Sequence, residues 1–442
     1  MKTMSGFRHG LVLTVMAAVV SITMVGAASS TVSAADLVLR VWTWDGPDGS
    51  KPIQDALDEF TKETGIKTKL ESVTADYKPK LLAALAAGTA PDVFMVGDWD
   101  YAEFYRAGVL ENLTPYIERD KIDLNAYVPT IVNQHRQPDG NFYTMSKDFS
   151  TMGIFYNKDH FDEAGIPYPT NKWTWNEALV WGQKLTRRDA SGKVIRYGIF
   201  TDPEWVALTL SFAWGAGYTI MDKNFMTFKG YLDNPEAIKA MQFFIDLAAK
   251  YKIGPNGWAE RDAIGHAEGA FFGGKASIVI YGNWPINRWR NETKLRWGTV
   301  IPPIYKVHST TFVMEAGWGM AGGIKDPVRR EAAWKLLSFL AGPKGQKHMV
   351  STGWAMPSYI ELAKELGITK DPYYSNFFLA AFESMPMYWA KVPNFGPVFA
   401  DGFGDVIRDA MFGRRDLQTG IAAYLPVAEA RLQKAISEYR KK

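Results

Sequence analysis

From Leu37 onward the chain alternates between two hydrophobic periodicities, and that alternation restricts the folds open to it. Leu37–Trp44 alternates apolar and polar residues, the pattern of a strand. Pro52 opens a helical pattern in which Ile53, Leu57 and Phe60 share a face, and Gly65 closes it. Ile66–Val73 alternates again. Asp76–Ala87 places Leu81, Leu82 and Leu85 on one helical face before Gly88, and Val93–Val96 is a short buried strand. A β-α-β-α-β order implies a mostly parallel sheet covered by helices. The same punctuation continues. Ile154–Tyr156, Val194–Phe200 and Ala276–Tyr281 read as strands. Thr174-Trp175-Asn176-Glu177 reads as a capping box, and helices are predicted from Pro235 to about Tyr251 and from Val328 to Leu340. Helical patterns dominate the last third. No internal repeat or flexible linker interrupts the chain, so short crossing strands should join its parts.

The segment ahead of this pattern reads as an export signal. Lys2 and Arg8 precede an apolar run from Leu11 to Ala28, and Thr31–Asp36 supplies small residues at a cleavage site, expected after Ala34 or Ala35. A membrane anchor fits less well, because the run is near the short limit for spanning and contains Ser21 and Thr23. Removing the two charges of Lys2 and Arg8 from the formal +3 leaves +1, which gives no reason to expect nucleic acid or an anionic membrane as partner. The sequence has no cysteine, so an exported chain must fold without disulfides and cannot carry a thioether-linked lipid. A soluble periplasmic protein is the expectation. Removing 34 of 442 residues leaves 408, too many for one ordinary domain.

Catalytic and metal signatures are weak. Gly317-Trp318-Gly319-Met320-Ala321-Gly322 matches G-x-G-x-x-G. A dinucleotide site, however, needs an acidic residue about 20 positions on, and that distance falls inside the helix containing Leu336, Leu337 and Phe339. A glycine-rich turn lining a cleft is the better expectation. The six histidines, His9, His135, His160, His266, His308 and His348, show no metal-ligand spacing, and no G-x-S-x-G occurs. No catalytic residue, metal or cofactor is expected.

The remaining signal is aromatic. The chain has 16 Trp, well above ordinary usage, and several sit beside polar residues at predicted strand ends, where ligands bind in open α/β sheets. The candidate ligand-binding residues are Trp42, Trp44, Asp98, Trp99, Asp148, Trp214, Trp284, Glu315, Gly317, Trp318 and Trp354. Trp205 also flanks a glycine-containing segment, whereas Trp173, Trp175, Trp181 and Trp334 lie in or beside helices and read as core. Indole faces suit the C–H faces of a sugar, and carboxylates and amides suit its hydroxyls.

Four stretches carry a family resemblance. They are Leu82–Phe94; Tyr156–Asp159 with Phe161, Ala164–Ile166 and Thr174–Glu177; Phe271–Ala276 with Gly282-Asn283-Trp284; and Gly322-Gly323 with Ala332–Trp334 and Gly353–Pro357. Together and in order they resemble the family 1 extracellular solute-binding proteins of ABC importers, the group that includes maltose-binding protein. The resemblance implies a two-lobed, type II-like periplasmic binding fold of class α/β, each lobe a mostly parallel sheet flanked by helices. Three hinge crossings are expected near Ser150, Phe312–Glu315 and Ala355–Ser358. The implied lobes are 35–150 with 315–356 and 151–314 with 357–442, after a signal peptide over 1–34. It further implies a monomer that closes on a carbohydrate and delivers it to transmembrane permease subunits. A non-sugar or acidic solute, with Arg288 and Arg290 near Trp284, and an exported carbohydrate-active enzyme are the alternatives.

Overall fold

The computed structural model describes residues 37–292 and 294–440; the expected signal segment lies outside them. Among the described residues no helix is long and apolar enough to cross a membrane. The strands are β1 Val38–Thr43, β2 Lys67–Ser72, β3 Val93–Gly97, β4 Thr144–Asn157, β5 Arg187–Arg188, β6 Val194–Phe200, β7 Ala276–Gly282, β8 Trp297–Val300, β9 Ile304–Tyr305, β10 His308–Ser309 and β11 Val313–Met320. One sheet runs β2-β1-β3-β11-β4-β7-β6-β5, with β8 also paired to β4. The parallel order expected from the alternating pattern holds for β1 with β2 and β3, and for β6 with β7. β4 and β11 run antiparallel to their neighbours.

Local sequence explains the elements. The first helix, Pro47–Thr64, buries Ile53, Leu57 and Phe60 as their spacing predicts. It opens at Pro47 rather than Pro52, which lies inside it. Gly65, with φ 73°, ends it in the left-handed region that glycine enters without steric cost. The Thr174 capping box is complete. The Thr174 hydroxyl accepts from the Glu177 amide at 3.3 Å, and the Glu177 carboxylate accepts from the Thr174 amide at 2.7 Å.

β4 divides the molecule. Residues 144–151 pair with β11, and Met152–Asn157 pair with β7 and β8. One strand therefore serves both lobes, and its partner changes between Thr151 and Met152. Downstream, Ser358 and Tyr359 still bond to the first lobe, through Val128 and Gln346. Thr299, on the second lobe, donates to Tyr373 O and accepts from Asn376. We therefore place the third crossing between Leu366 and Tyr373, later in the chain than Ala355–Ser358.

The glycine-rich run is not a turn. Gly317, Trp318 and Gly319 lie inside β11, where they pair with β3 and β4. A Cβ on Gly317 would stand 2.6 Å from the Tyr101 hydroxyl and 2.8 Å from the His135 ring, so glycine permits close packing there. Trp318 is 0% exposed, in register with Met95 and Met145 in the first-lobe core. Its indole N–H has no partner among the described residues. Gly317 and Trp318 thus leave the set of candidate ligand contacts, because alternation along a strand sends the indole inward. Trp318→Ala should destabilise the protein by roughly 3–5 kcal/mol, read as a lowered urea midpoint. Trp318→Phe should cost less, since it removes the orphaned N–H along with part of the ring.

Candidate functional site

The strand directions define a cleft. The parallel strands of the first lobe end at Thr43, Ser72 and Gly97, and those of the second at Phe200 and Gly282. Gly282 pairs with Met152, immediately beyond the point where β4 changes partner. The carboxyl ends of both sets therefore face one another across the crossing strands, and the loops that follow them form the two lips.

On the first lip, Trp44 packs edge-on to Tyr77, with ring centroids 5.3 Å apart, and lies 5.8 Å from Trp99. Trp99 is 51% exposed, with its indole folded over Gly97. A Cβ at Gly97 would sit 2.4 Å from that ring. The second lip repeats the device: Trp284 covers Gly282, where a Cβ would meet the ring at 1.7 Å, and packs edge-on to Tyr281 at 4.9 Å. Asn283 between them is buried. Its oxygen accepts from the Thr151 amide at 2.9 Å, and its amide donates to Trp354 O at 3.2 Å. That contact holds the Trp354 loop against the crossing while its indole stays 69% exposed. At the base, Trp205 and Trp389 both stand edge-on to Phe312, at 5.6 and 5.7 Å.

A buried polar cluster lies beneath this base. The Asp98 carboxylate accepts from Gln134 Nε2 at 3.2 Å, from the Glu315 amide at 3.0 Å, and from the Trp389 indole. His135 bonds to Thr144 at 2.8 Å and to Glu315 at 3.1 Å. Lys391 donates to the carbonyls of Asn133, Gln134 and Arg136, capping the C-terminal end of the helix Pro129–His135. Burial, reinforced by the charge of Asp148, pushes Glu315 well above the usual carboxylate range. Burial also lowers His135 to about 3, so the His135–Glu315 contact is a hydrogen bond between neutral groups rather than an ion pair. Asp98 is pushed up to about 7, again by burial, and Lys391 is brought down to about 7.

The structure thus sorts the sequence candidates. Trp44, Trp99, Trp284 and Trp354 gather around the cleft. Trp42 does not: its indole N–H donates to Glu71 at 2.5 Å, on the face of β1 that packs against the helix Tyr77–Ala86. Asp98 and Glu315 are turned into the buried cluster. Asp148 is also buried, in an ion pair with Lys147 at 2.5 Å. Trp214 lies apart, stacked on His308 at 4.5 Å. Tyr77, Trp205 and Trp389 join the cleft without having been selected. Tyr77 sits at a helix start and Trp389 in a helix-rich third, where a strand-end criterion is blind.

The buried cluster makes opposed demands on pH. Asp98 holds its proton more tightly folded than unfolded, so its contribution is complete below about 4 and is lost as pH rises to about 7. His135 holds its proton less tightly when folded, so its contribution is complete above about 6.5 and is lost as pH falls toward 3. Between about 4 and 6.5 the two cancel in part. Asp98→Asn should therefore make unfolding free energy rise more steeply with pH in that window, by up to ~1.4 kcal/mol per pH unit. Urea titrations across the window check this, and an unchanged slope would mean that Asp98 is already charged in the folded protein.

Comparison with known proteins agrees with this architecture. A family model of bacterial extracellular solute-binding proteins matches residues 43–347. The galactooligosaccharide-binding protein of Bacillus subtilis (strain 168) is 24% identical over 335 residues, covering 74% of each chain. The cyclic alpha-maltosyl-1,6-maltose binding protein of Arthrobacter globiformis superposes with a TM-score of 0.75 at 19% identity, covering 90% of this chain and 99% of that one. The ABC substrate-binding protein Lmo0181 of Listeria monocytogenes, in complex with cycloalternan, superposes with a TM-score of 0.71 at 22% identity, covering 91% and 99%. With the family match spanning well over half of its length, the two-lobed chain belongs to the bacterial extracellular solute-binding proteins.

Proposed function

We propose that this chain is the exported, substrate-capturing component of an ABC importer, and that it closes on a carbohydrate and presents it to a membrane permease. The observation that carries the reading is the ring of partly exposed indoles around the cleft: Trp44 and Trp99 on one lip, Trp284 on the other with the Trp354 loop bonded beside it, Trp205 and Trp389 at the base. Rings on both lips can sandwich a pyranose once the lobes approach, and neither lip can do so alone. The proteins similar to this one include binding proteins named for galactooligosaccharides and maltotriose, which points the same way. The cations near Trp284 favour a neutral ligand over an acidic one. Arg290 is engaged by Asp371 at 2.7 Å, and Arg288 by Glu268. The buried carboxylates Asp98 and Glu315 lie under the cleft base rather than in it, a poor position for acid–base chemistry on a glycosidic bond.

Calorimetry with neutral malto- and galactooligosaccharides tests the ligand class. Trp99→Ala should weaken binding by about 2 kcal/mol, roughly 30-fold, and should leave the unfolding temperature in place because the ring is exposed. Binding of a charged solute with no neutral sugar bound would overturn the carbohydrate reading. Small-angle scattering should show a smaller radius of gyration with ligand present, since only a ligand that contacts both lobes favours the closed form.

A further inference from the structure

The loop 350–356 is rooted in one lobe and held at its tip by the other. Ahead of it, the helix Pro343–Met349 packs on the first helix, and Met349 lies in the first-lobe core. Behind it, Met356 exchanges both backbone hydrogen bonds with Phe149, at 2.8 and 2.9 Å, on the half of β4 that pairs with β11. Between these roots, three successive carbonyls accept from side chains of the second lobe. Asn287 Nδ2 donates to Thr352 O at 3.0 Å, the Tyr374 hydroxyl to Gly353 O at 2.6 Å, and Asn283 Nδ2 to Trp354 O at 3.2 Å. The Ser150 hydroxyl, on the crossing strand, also donates to Trp354 O, at 3.4 Å.

The donors are themselves fixed. Asn283 is buried and tied to the Thr151 amide. Tyr374 is buried at the start of the helix Tyr374–Ala380, where Asp371 accepts from its amide at 3.0 Å. Arg290 in turn holds Asp371 at 2.7 and 2.8 Å, with its guanidinium 5.8 Å from the Tyr374 ring centroid. Gly353 permits the close approach: its φ is 74°, and a Cβ there would stand 2.9 Å from Asn287 Nδ2. An exposed loop loses little by leaving its carbonyls to water, and each ordered donor costs side-chain entropy. Bonds to three residues in a row therefore fix one course of the backbone, and with it the direction in which Trp354 leaves the chain. The Trp354 indole, 69% exposed, draws little restraint from packing of its own.

We propose that Asn287 and Tyr374 are positioning residues for ligand capture. With Asn283 they hold the Trp354 loop on the second lobe, so that Trp354 moves with Trp284 and the two rings form one face of the cleft, although the loop is rooted in the first lobe. The proposal rests on the reading of the cleft as a binding site, and its test separates the two. In sugar-free, ¹⁵N-labelled protein, the Trp354 indole signal, assigned through Trp354→Phe, should show a lowered heteronuclear NOE in Tyr374→Phe and in Asn287→Ala. The Trp99 signal, on the other lip, should be unchanged. In calorimetry with malto- and galactooligosaccharides, each substitution should weaken binding by about three- to tenfold, up to the value of one lost hydrogen bond. In a Trp354→Ala background neither should weaken it further, because both act through that ring. Tyr374→Phe keeps the buried ring and Asn287 is exposed, so one variant serves if the other fails to fold. A Trp354 indole equally ordered in both variants would overturn the proposal, and so would a loss of affinity that persists in full without Trp354. If the unsubstituted protein binds none of these sugars, the carbohydrate reading fails, and the sugar-free measurement alone decides whether the three side chains hold Trp354.

Discussion

β4 satisfies its backbone while changing partners halfway along, and the two-lobed arrangement depends on how it does so. At the changeover a ladder partner is lost on one side before the next begins, and a buried amide left unpaired there would be costly. Side chains and flanking backbone fill the gap. The Thr151 amide donates to the Asn283 side chain, the Met152 amide to Phe312 O at 3.0 Å, and the Thr311 hydroxyl to Met152 O at 2.7 Å. These contacts are local, so a change of angle between the lobes need break little of either sheet. They also explain where the cleft lies. Because β7 ends at the changeover, the loop that follows it must emerge beside the hinge.

The tryptophans at the lips share a construction. In Gly97-Asp98-Trp99 and Gly282-Asn283-Trp284 the glycine is the last strand residue, and the indole folds back over the space its missing side chain leaves. The residue between them turns inward, Asp98 into the polar cluster and Asn283 onto the hinge. A G-x-W step at a strand end thus aims a ring at the opposite lobe and uses its neighbour to hold the loop. Any side chain at the glycine would push the ring away, so geometry, beyond aromatic content, makes these positions good binding platforms.

Much of the frame was legible in the sequence, because period-two and period-3.6 segments report burial directly. β6, the Thr174 capping box and the face of the first helix came out as their patterns predict. The glycine-rich run failed for a physical reason. In β11 Gly317 admits Tyr101 and His135 and Gly319 lies against Leu110 and Phe94, and the motif's spacing says nothing of which face the intervening Trp318 takes. Trp42 failed for the same reason, since alternation along β1 places it on the helix-covered face while Trp44, beyond the strand, is released to the cleft. Trp389 had no local signal. Its position is set by Asp98, 291 residues earlier in sequence, and only the folded chain brings the two together.

That long-range contact shapes how the lobes can move. The C-terminal segment packs with the second lobe, and Tyr388 accepts from the Ile220 amide there at 3.2 Å. One residue on, Trp389 bonds to Asp98, and Lys391 caps a first-lobe helix. The turn is therefore tied to both lobes within four residues, at the base of the cleft. Its first-lobe anchors are buried groups whose separation would strand a carboxyl and three helix carbonyls, a larger loss than that of an exposed contact. On the second-lobe side the Tyr388 ring is also buried, 6.4 Å from the Phe225 ring, so that anchor combines packing with its hydrogen bond. With buried anchors on both sides, the turn is a pivot about which the lobes can rotate while Trp389 stays in place. The base of the cleft then presents the same indole to a ligand in both open and closed states, and closure is left to the lips.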